Sequence, residues 1–129
     1  MTDVDWDDEL VPDDGGRTRA PEPDCPVEVA LAAISGRWTT LVLRELMSGP
    51  LSFGELRHRL PSLSAKVLTD RLRELEAREL VERQTLRGFP VRTSYDLTPR
   101  GRALRPLLIE LYRTGNTLTP LSNIHSNTR

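Results

Sequence analysis

A single cysteine in 129 residues leaves no partner for an internal disulfide, so the fold has to rest on its core. Aromatic residues make up only 5%, too few for a stacking platform that would hold single-stranded nucleic acid. No apolar run approaches the roughly 18 residues needed to span a bilayer, and the acidic start lacks the basic region of a signal peptide. The two histidines, His58 and His125, stand far apart with no Cys or Asp at ligand spacing, which argues against a metal centre. There is no Gly-rich phosphate loop, no nucleophile elbow and no acid–base constellation, so an enzyme is not expected. What remains is a soluble, cytoplasmic protein of one ordinary domain, with no cofactor.

The net charge of −1 conceals a segregation of sign. Residues 1–24 carry nine acids against Arg17 and Arg19, a balance of −7, while residues 25–129 stand at +6. A basic body behind an acidic tail fits a nucleic-acid binder, although a mixed charged surface is also common in soluble proteins. The tail has no periodicity and is broken by Pro12, Gly15, Gly16, Pro21 and Pro23, so residues 1–24 are expected to be disordered.

The most informative stretch runs from Ser62 to Arg83. Pro61 stops what precedes it, Ser64 caps a helix, and Leu68, Leu72, Leu75 and Leu80 recur at helical spacing as one buried stripe. At about 100° per residue Lys66 and Arg73 fall near the opposite pole, flanked by Thr69 and Asp70. Just before it, Ser52-Phe53-Gly54-Glu55 has the form of a capping box and opens a short helix through Phe53, Leu56 and Leu60. Two helices across a brief Pro-Ser turn, the second polar and basic on its outer side, make a helix-turn-helix.

Alternation at period two follows in residues 81–86 and 91–97, joined by Arg87-Gly88-Phe89-Pro90. This hairpin reads as a wing at 86–92 whose Arg87 and Arg92 reach phosphates or a minor groove. Upstream, Cys25-Pro26 starts a helix with Val27, Ala30, Leu31 and Ile34 on one face. Gly36 ends that helix, and a second one from about Trp38 to Met47 is closed by Ser48-Gly49-Pro50. Downstream, Thr98-Pro99 starts a last helix bearing Leu104, Leu107, Leu108, Ile109, Leu111 and Tyr112, with Pro106 expected to kink it. So wide an apolar stripe is better shared between two chains than left in water. The chain turns polar after Gly115, and residues 119–129 are expected to be flexible. The fold class is α+β, mostly α.

From Cys25 to about Leu118 the chain resembles the HxlR-type winged helix-turn-helix transcriptional regulators, relatives of the MarR group. The matching pieces are Cys25-Pro26, Gly36-Arg37-Trp38, residues 43–46, Phe53-Gly54-Glu55-Leu56-Arg57, residues 64–75, Val81-Glu82-Arg83, residues 95–98 and Gly101. The resemblance implies a homodimer held by its N- and C-terminal helices, with Val27, Leu31, Leu104, Leu107, Leu108, Leu111 and Tyr112 at the interface. It implies binding to a palindromic promoter site, mostly as a repressor. Ser64, Lys66, Thr69, Asp70, Arg71 and Arg73 then fall on the recognition helix, residues 64–80. Arg57, Arg59, Arg87 and Arg92 would hold the backbone. Where Asp70 stands many relatives have glutamine, and a carboxylate accepts from cytosine but repels phosphate.

The resemblance also implies a thiol switch at Cys25, since several members sense oxidants or electrophiles at the matching position. A helix N-terminus favours thiolate, whereas Asp24 and the acidic tail oppose it. The alternative is that Cys-Pro merely begins the first helix at the dimer seam. A second alternative concerns the domain as a whole: a winged helix that serves as a protein-interaction module, with no specific DNA binding.

Overall fold

The computed structural model describes residues 5–120. The chain divides into two compact units, Met1–Arg37 and Trp38–Arg129.

In the first unit the acidic segment has local structure. Asp7 Oδ1 accepts from the backbone N–H groups of Glu9 and Leu10, and Val11 N–H closes that turn on the Asp7 carbonyl at 2.7 Å. Asp13 then caps a single 3-10 turn at Asp14–Gly16. Helix α1 spans Pro26–Ala33, with Pro26 where a missing N–H costs nothing and Cys25 as the N-cap, though the thiol makes no cap hydrogen bond. The apolar residues expected to form its face are not its buried ones. Ala33 is the buried residue of α1, while Val27 and Leu31 lie exposed, 58% and 53% accessible.

The second unit contains α2 (Thr39–Leu46), strand β1 (Leu51–Ser52), α3 (Phe53–Arg59), α4 (Ala65–Ala77), strands β2 (Val81–Leu86) and β3 (Arg92–Leu97), and helices α5 (Pro99–Arg102) and α6 (Arg105–Leu118). The sheet is antiparallel in the order β1-β3-β2. Register along the hairpin runs from Val81 opposite Leu97 to Leu86 opposite Arg92, which leaves residues 87–91 as its loop. Val42, Leu43 and Leu46 from α2, Leu56 from α3, Leu68, Leu72 and Leu75 from α4, and Leu80, Tyr95 and Leu97 form the core.

Four departures from the sequence reading have physical causes. Strand β1 is too short to show any periodicity and exists because it pairs with Tyr95 and Ser94. The last helix is not kinked but divided, α5 ending at Arg102 and α6 starting at Arg105 with Pro106 in its first turn. Proline has no N–H to give and its ring clashes with the carbonyl four residues back, so a new first turn is where it fits. Trp38, expected to begin the second helix, instead takes a left-handed backbone (φ 78°) ahead of α2 and is half-buried. The helix read as 64–80 ends at Ala77. There Glu79 (φ 62°), with Glu79 N–H to the Glu76 carbonyl and Leu80 N–H to the Leu75 carbonyl, both 2.9 Å, closes it as a Schellman motif.

Candidate nucleic-acid interface

The site begins with two serine caps. Ser52 Oγ accepts from Glu55 N–H at 3.0 Å, and the Glu55 carboxylate accepts from Ser52 N–H at 2.8 Å. The Ser52 backbone N–H, then its hydroxyl, hold the Glu55 carboxyl below the usual glutamate range, with Arg59 adding to the effect. Ser64 Oγ accepts from Val67 N–H at 3.1 Å and starts α4. Between the caps, Leu60 and Leu63 are buried, and Arg57 Nε donates to the Leu63 carbonyl at 3.4 Å. Buried leucines on both sides of the turn thus set the angle between α3 and α4.

Leu68, Leu72 and Leu75 are at most 1% exposed, so the opposite face of α4 stands in solvent. Its side chains are not equally available. Lys66 is exposed and pairs with Asp70 at 3.1 Å, one helical turn on. Arg73 is exposed and has no ion pair among the described residues. Thr69 Oγ1 turns back to the Ala65 carbonyl at 2.9 Å. Arg71, placed on the recognition face by position alone, is largely covered and pairs with Glu74 at 2.9 Å. Arg59 pairs with Glu45 at 3.3 Å, and Glu45 also holds Arg44. An exposed pair such as Lys66–Asp70 stabilises by only about 0–1 kcal/mol, so an anionic ligand can recruit Lys66 at small cost.

The hairpin leaves α4 after three residues, and Arg83 reaches back to Glu76 at 3.9 Å. Arg87 and Arg92 are exposed at its end, and neither has an ion pair among the described residues. His58 is exposed on α3, and His125 lies outside the described residues. No cluster of His, Cys, Asp or Glu among the described residues is arranged to hold a metal ion. Within the same described residues no helix is long and apolar enough to cross a membrane. Sequence reasoning passed over Phe89, which stands fully in solvent in the hairpin loop. Its only signal was an aromatic residue between the Gly and Pro of a turn.

In the first unit Cys25 is 6% exposed, and its sulfur accepts from Thr18 Oγ1 at 3.8 Å. At the other end of the chain, Leu104, which precedes α6, and Leu107, Leu108 and Ile109 within it are half-buried, and Leu111 and Tyr112 are exposed.

A serine-capped helix on a leucine floor, preceded by a short helix and followed by a basic hairpin, defines a winged helix-turn-helix protein of the MarR-like class. The HxlR-like helix-turn-helix family matches residues 33–122, and the chain belongs to that family. It is 42% identical over 88 residues to the transcriptional regulator YodB of Bacillus subtilis, which spans 67% of this chain and 79% of that one. It is equally similar to YvaP of the same organism, an HTH-type transcriptional regulator, over 67% of this chain and 82% of the relative. Among solved structures it resembles the redox regulator HypR in its reduced form, with a TM-score of 0.67 and 35% identity over 71% of this chain and 91% of that one. Diamide-treated YodB gives 0.64 at 38% identity, over 74% and 96%. The chain is therefore a transcriptional regulator, and no catalytic family is indicated.

Proposed function

We propose that the chain is a cytoplasmic, homodimeric repressor that reads a palindromic operator, with α4 in the major groove and the wing on the flanking backbone. The observation that carries this reading is the outer face of α4. Lys66, Thr69, Asp70 and Arg73 line a face whose reverse side is fixed by three buried leucines. Lys66 and Arg73 supply charge and base contacts, Asp70 selects for a donor such as the cytosine amino group, and Ser64 lies at the entry of the groove. Arg57, Arg59, Arg87 and Arg92 hold phosphates. Arg71 supports the face through Glu74.

Dimerisation accounts for the exposed apolar residues of α6 and, in the first unit, for Val27 and Leu31. A two-fold pair of α4 helices about one DNA turn apart, roughly 34 Å, matches a palindromic site. Oxidant response is assigned to Cys25, the one thiol of the chain. Diamide removes two electrons and two protons from two thiols. The product is then a disulfide between Cys25 and Cys25 of the partner subunit, or between Cys25 and a small thiol. Because Cys25 is buried, either product requires a local opening around Thr18.

Fluorescence anisotropy with fragments flanking the protein's own gene tests the reading at physiological salt. Tight binding to one fragment over random duplex is expected. Release by diamide, reversal by reductant and loss of the response in Cys25→Ser are expected with it. Equal, weak binding to every fragment would overturn specific recognition and favour the interaction module. Binding that Cys25→Ser leaves equally sensitive to diamide would remove the thiol switch alone.

A further inference from the structure

The wing carries an apolar group that phosphate binding does not explain. Phe89 is 102% exposed, with Val91 at 63% and Leu86 at 46% beside it, while Arg87 and Arg92 bracket the same loop. Strand pairing ends at Leu86 and Arg92, so these groups sit at the end of a hydrogen-bonded ladder. Gly88, at φ 143°, takes a backbone that only glycine adopts readily, and Pro90 fixes its own φ. Strand pairing at Leu86 and Arg92 thus fixes both ends of the five-residue loop that presents Phe89.

A phenyl ring held fully in water contributes nothing to the stability of the free protein. A protein partner would need an apolar pocket ringed by acids to accept this tip. Duplex DNA meets the same requirement with its regular structure, because a minor groove has phosphates on both rims and, between them, base steps whose apolar faces open to an inserted side chain. Arginines on either side of an apolar tip match phosphates on either side of an opened step.

We infer that Phe89 is an apolar wedge, inserted by the wing between base steps from the minor groove beside the site read by α4. The inference rests on the DNA-binding reading above and goes beyond it. It assigns Phe89 to partial unstacking and bending of the duplex, leaving α4 to read base edges. Sequence preference at the wedged step then arises from how easily that step opens, with pyrimidine–purine steps favoured.

The test uses the full-length protein on its bound fragment, comparing the parent with Phe89→Ala, Phe89→Leu and Arg87→Ala. Permanganate oxidises thymines whose stacking is open, so it locates the wedge at any step that contains a thymine, as the TA and CA/TG steps do. Circularly permuted fragments report the bend. The parent is expected to give hyperreactive thymines flanking each half-site and a bent complex. Phe89→Ala should lose both and bind about fivefold or more weakly, within the range of lost base stacking. Phe89→Leu, still a wedge, should keep both, and Arg87→Ala should weaken binding and lower its salt dependence while keeping the thymine pattern. Unchanged thymine reactivity and bend in Phe89→Ala overturn the wedge, whether or not affinity falls, and leave recognition by α4 standing. If no fragment is bound specifically by the parent, the DNA-binding reading fails and the wedge falls with it.

Discussion

Gly101 permits a close approach, and replacing it measures how tightly α5 is seated on the turn that closes α4. An alanine methyl at 101 would lie well inside contact distance of the Leu80 carbonyl oxygen and 3.1 Å from Leu97 Cδ2. The Leu80 oxygen cannot simply withdraw, because it accepts from Thr98 N–H at 3.0 Å. Thr98 Oγ1 also donates to the Glu79 carbonyl at 2.8 Å, and Arg100 Nε donates to the Arg78 carbonyl at 3.2 Å. Overpacking costs about 1–3 kcal/mol and the strained hydrogen bond about 1 more, against a gain of roughly 0.5–1 from alanine in a helix. Gly101→Ala should therefore lose about 1–3.5 kcal/mol. Equilibrium urea unfolding followed by circular dichroism, at one protein concentration, measures it. Gly115→Ala is the matched control, since nothing lies within 4 Å of its added methyl, and it should be neutral or stabilising by up to about 1 kcal/mol. A Gly101→Ala protein within about 0.5 kcal/mol of the parent would refute the argument that α5 and Leu80 are in rigid contact.

Glu79→Gly should stabilise by roughly 0.5–1 kcal/mol in the same assay, because it relieves the left-handed backbone that closes α4. The Glu55 carboxyl has a lowered pKa in the folded state, so its cap contributes above the ordinary glutamate range and is lost as pH falls through the folded value. The difference in urea midpoint between parent and Glu55→Gln should thus be present at pH 7 and shrink as pH falls below the ordinary glutamate range. Lys66→Ala and Arg73→Ala should each weaken operator binding, measured by anisotropy, without changing the urea midpoint, since both side chains stand outside the core. Cys25 should react with a disulfide reagent far more slowly in the native protein than in urea, and equal rates would contradict its burial.

How much of this was legible in the sequence depended on whether the signal was local. The capping box at Ser52 and Glu55, the Ser64 cap and the leucine stripe of α4 are each encoded within one or two helical turns, and periodicity displays them. The hairpin was equally plain from its alternation. Strand β1 was not, because its two residues are strand only through Tyr95 and Ser94, far along the chain. Pro106 announced an interruption, but whether the helix bends or restarts depends on what packs beside the gap. On the candidate interface, it was the family resemblance and not the helical angle that put Arg71 with Lys66 and Arg73. Its pairing with Glu74 instead is a matter of rotamer and neighbours, which spacing does not encode.

Strand β1 also governs how the molecule comes apart. Leu51 pairs with Tyr95, and α3, α4 and β2 all lie inside the loop that this pairing closes. Closing a loop of about forty residues costs on the order of 3 kcal/mol of chain entropy, which is recovered only when the helices inside it pack. Helices α3 and α4 thus share their packing with a sheet closed across the ends of this segment. Such a long-range pairing slows folding relative to a bundle built from neighbouring helices alone. Chain added within the hairpin loop, by contrast, would lengthen the wing without touching that closure.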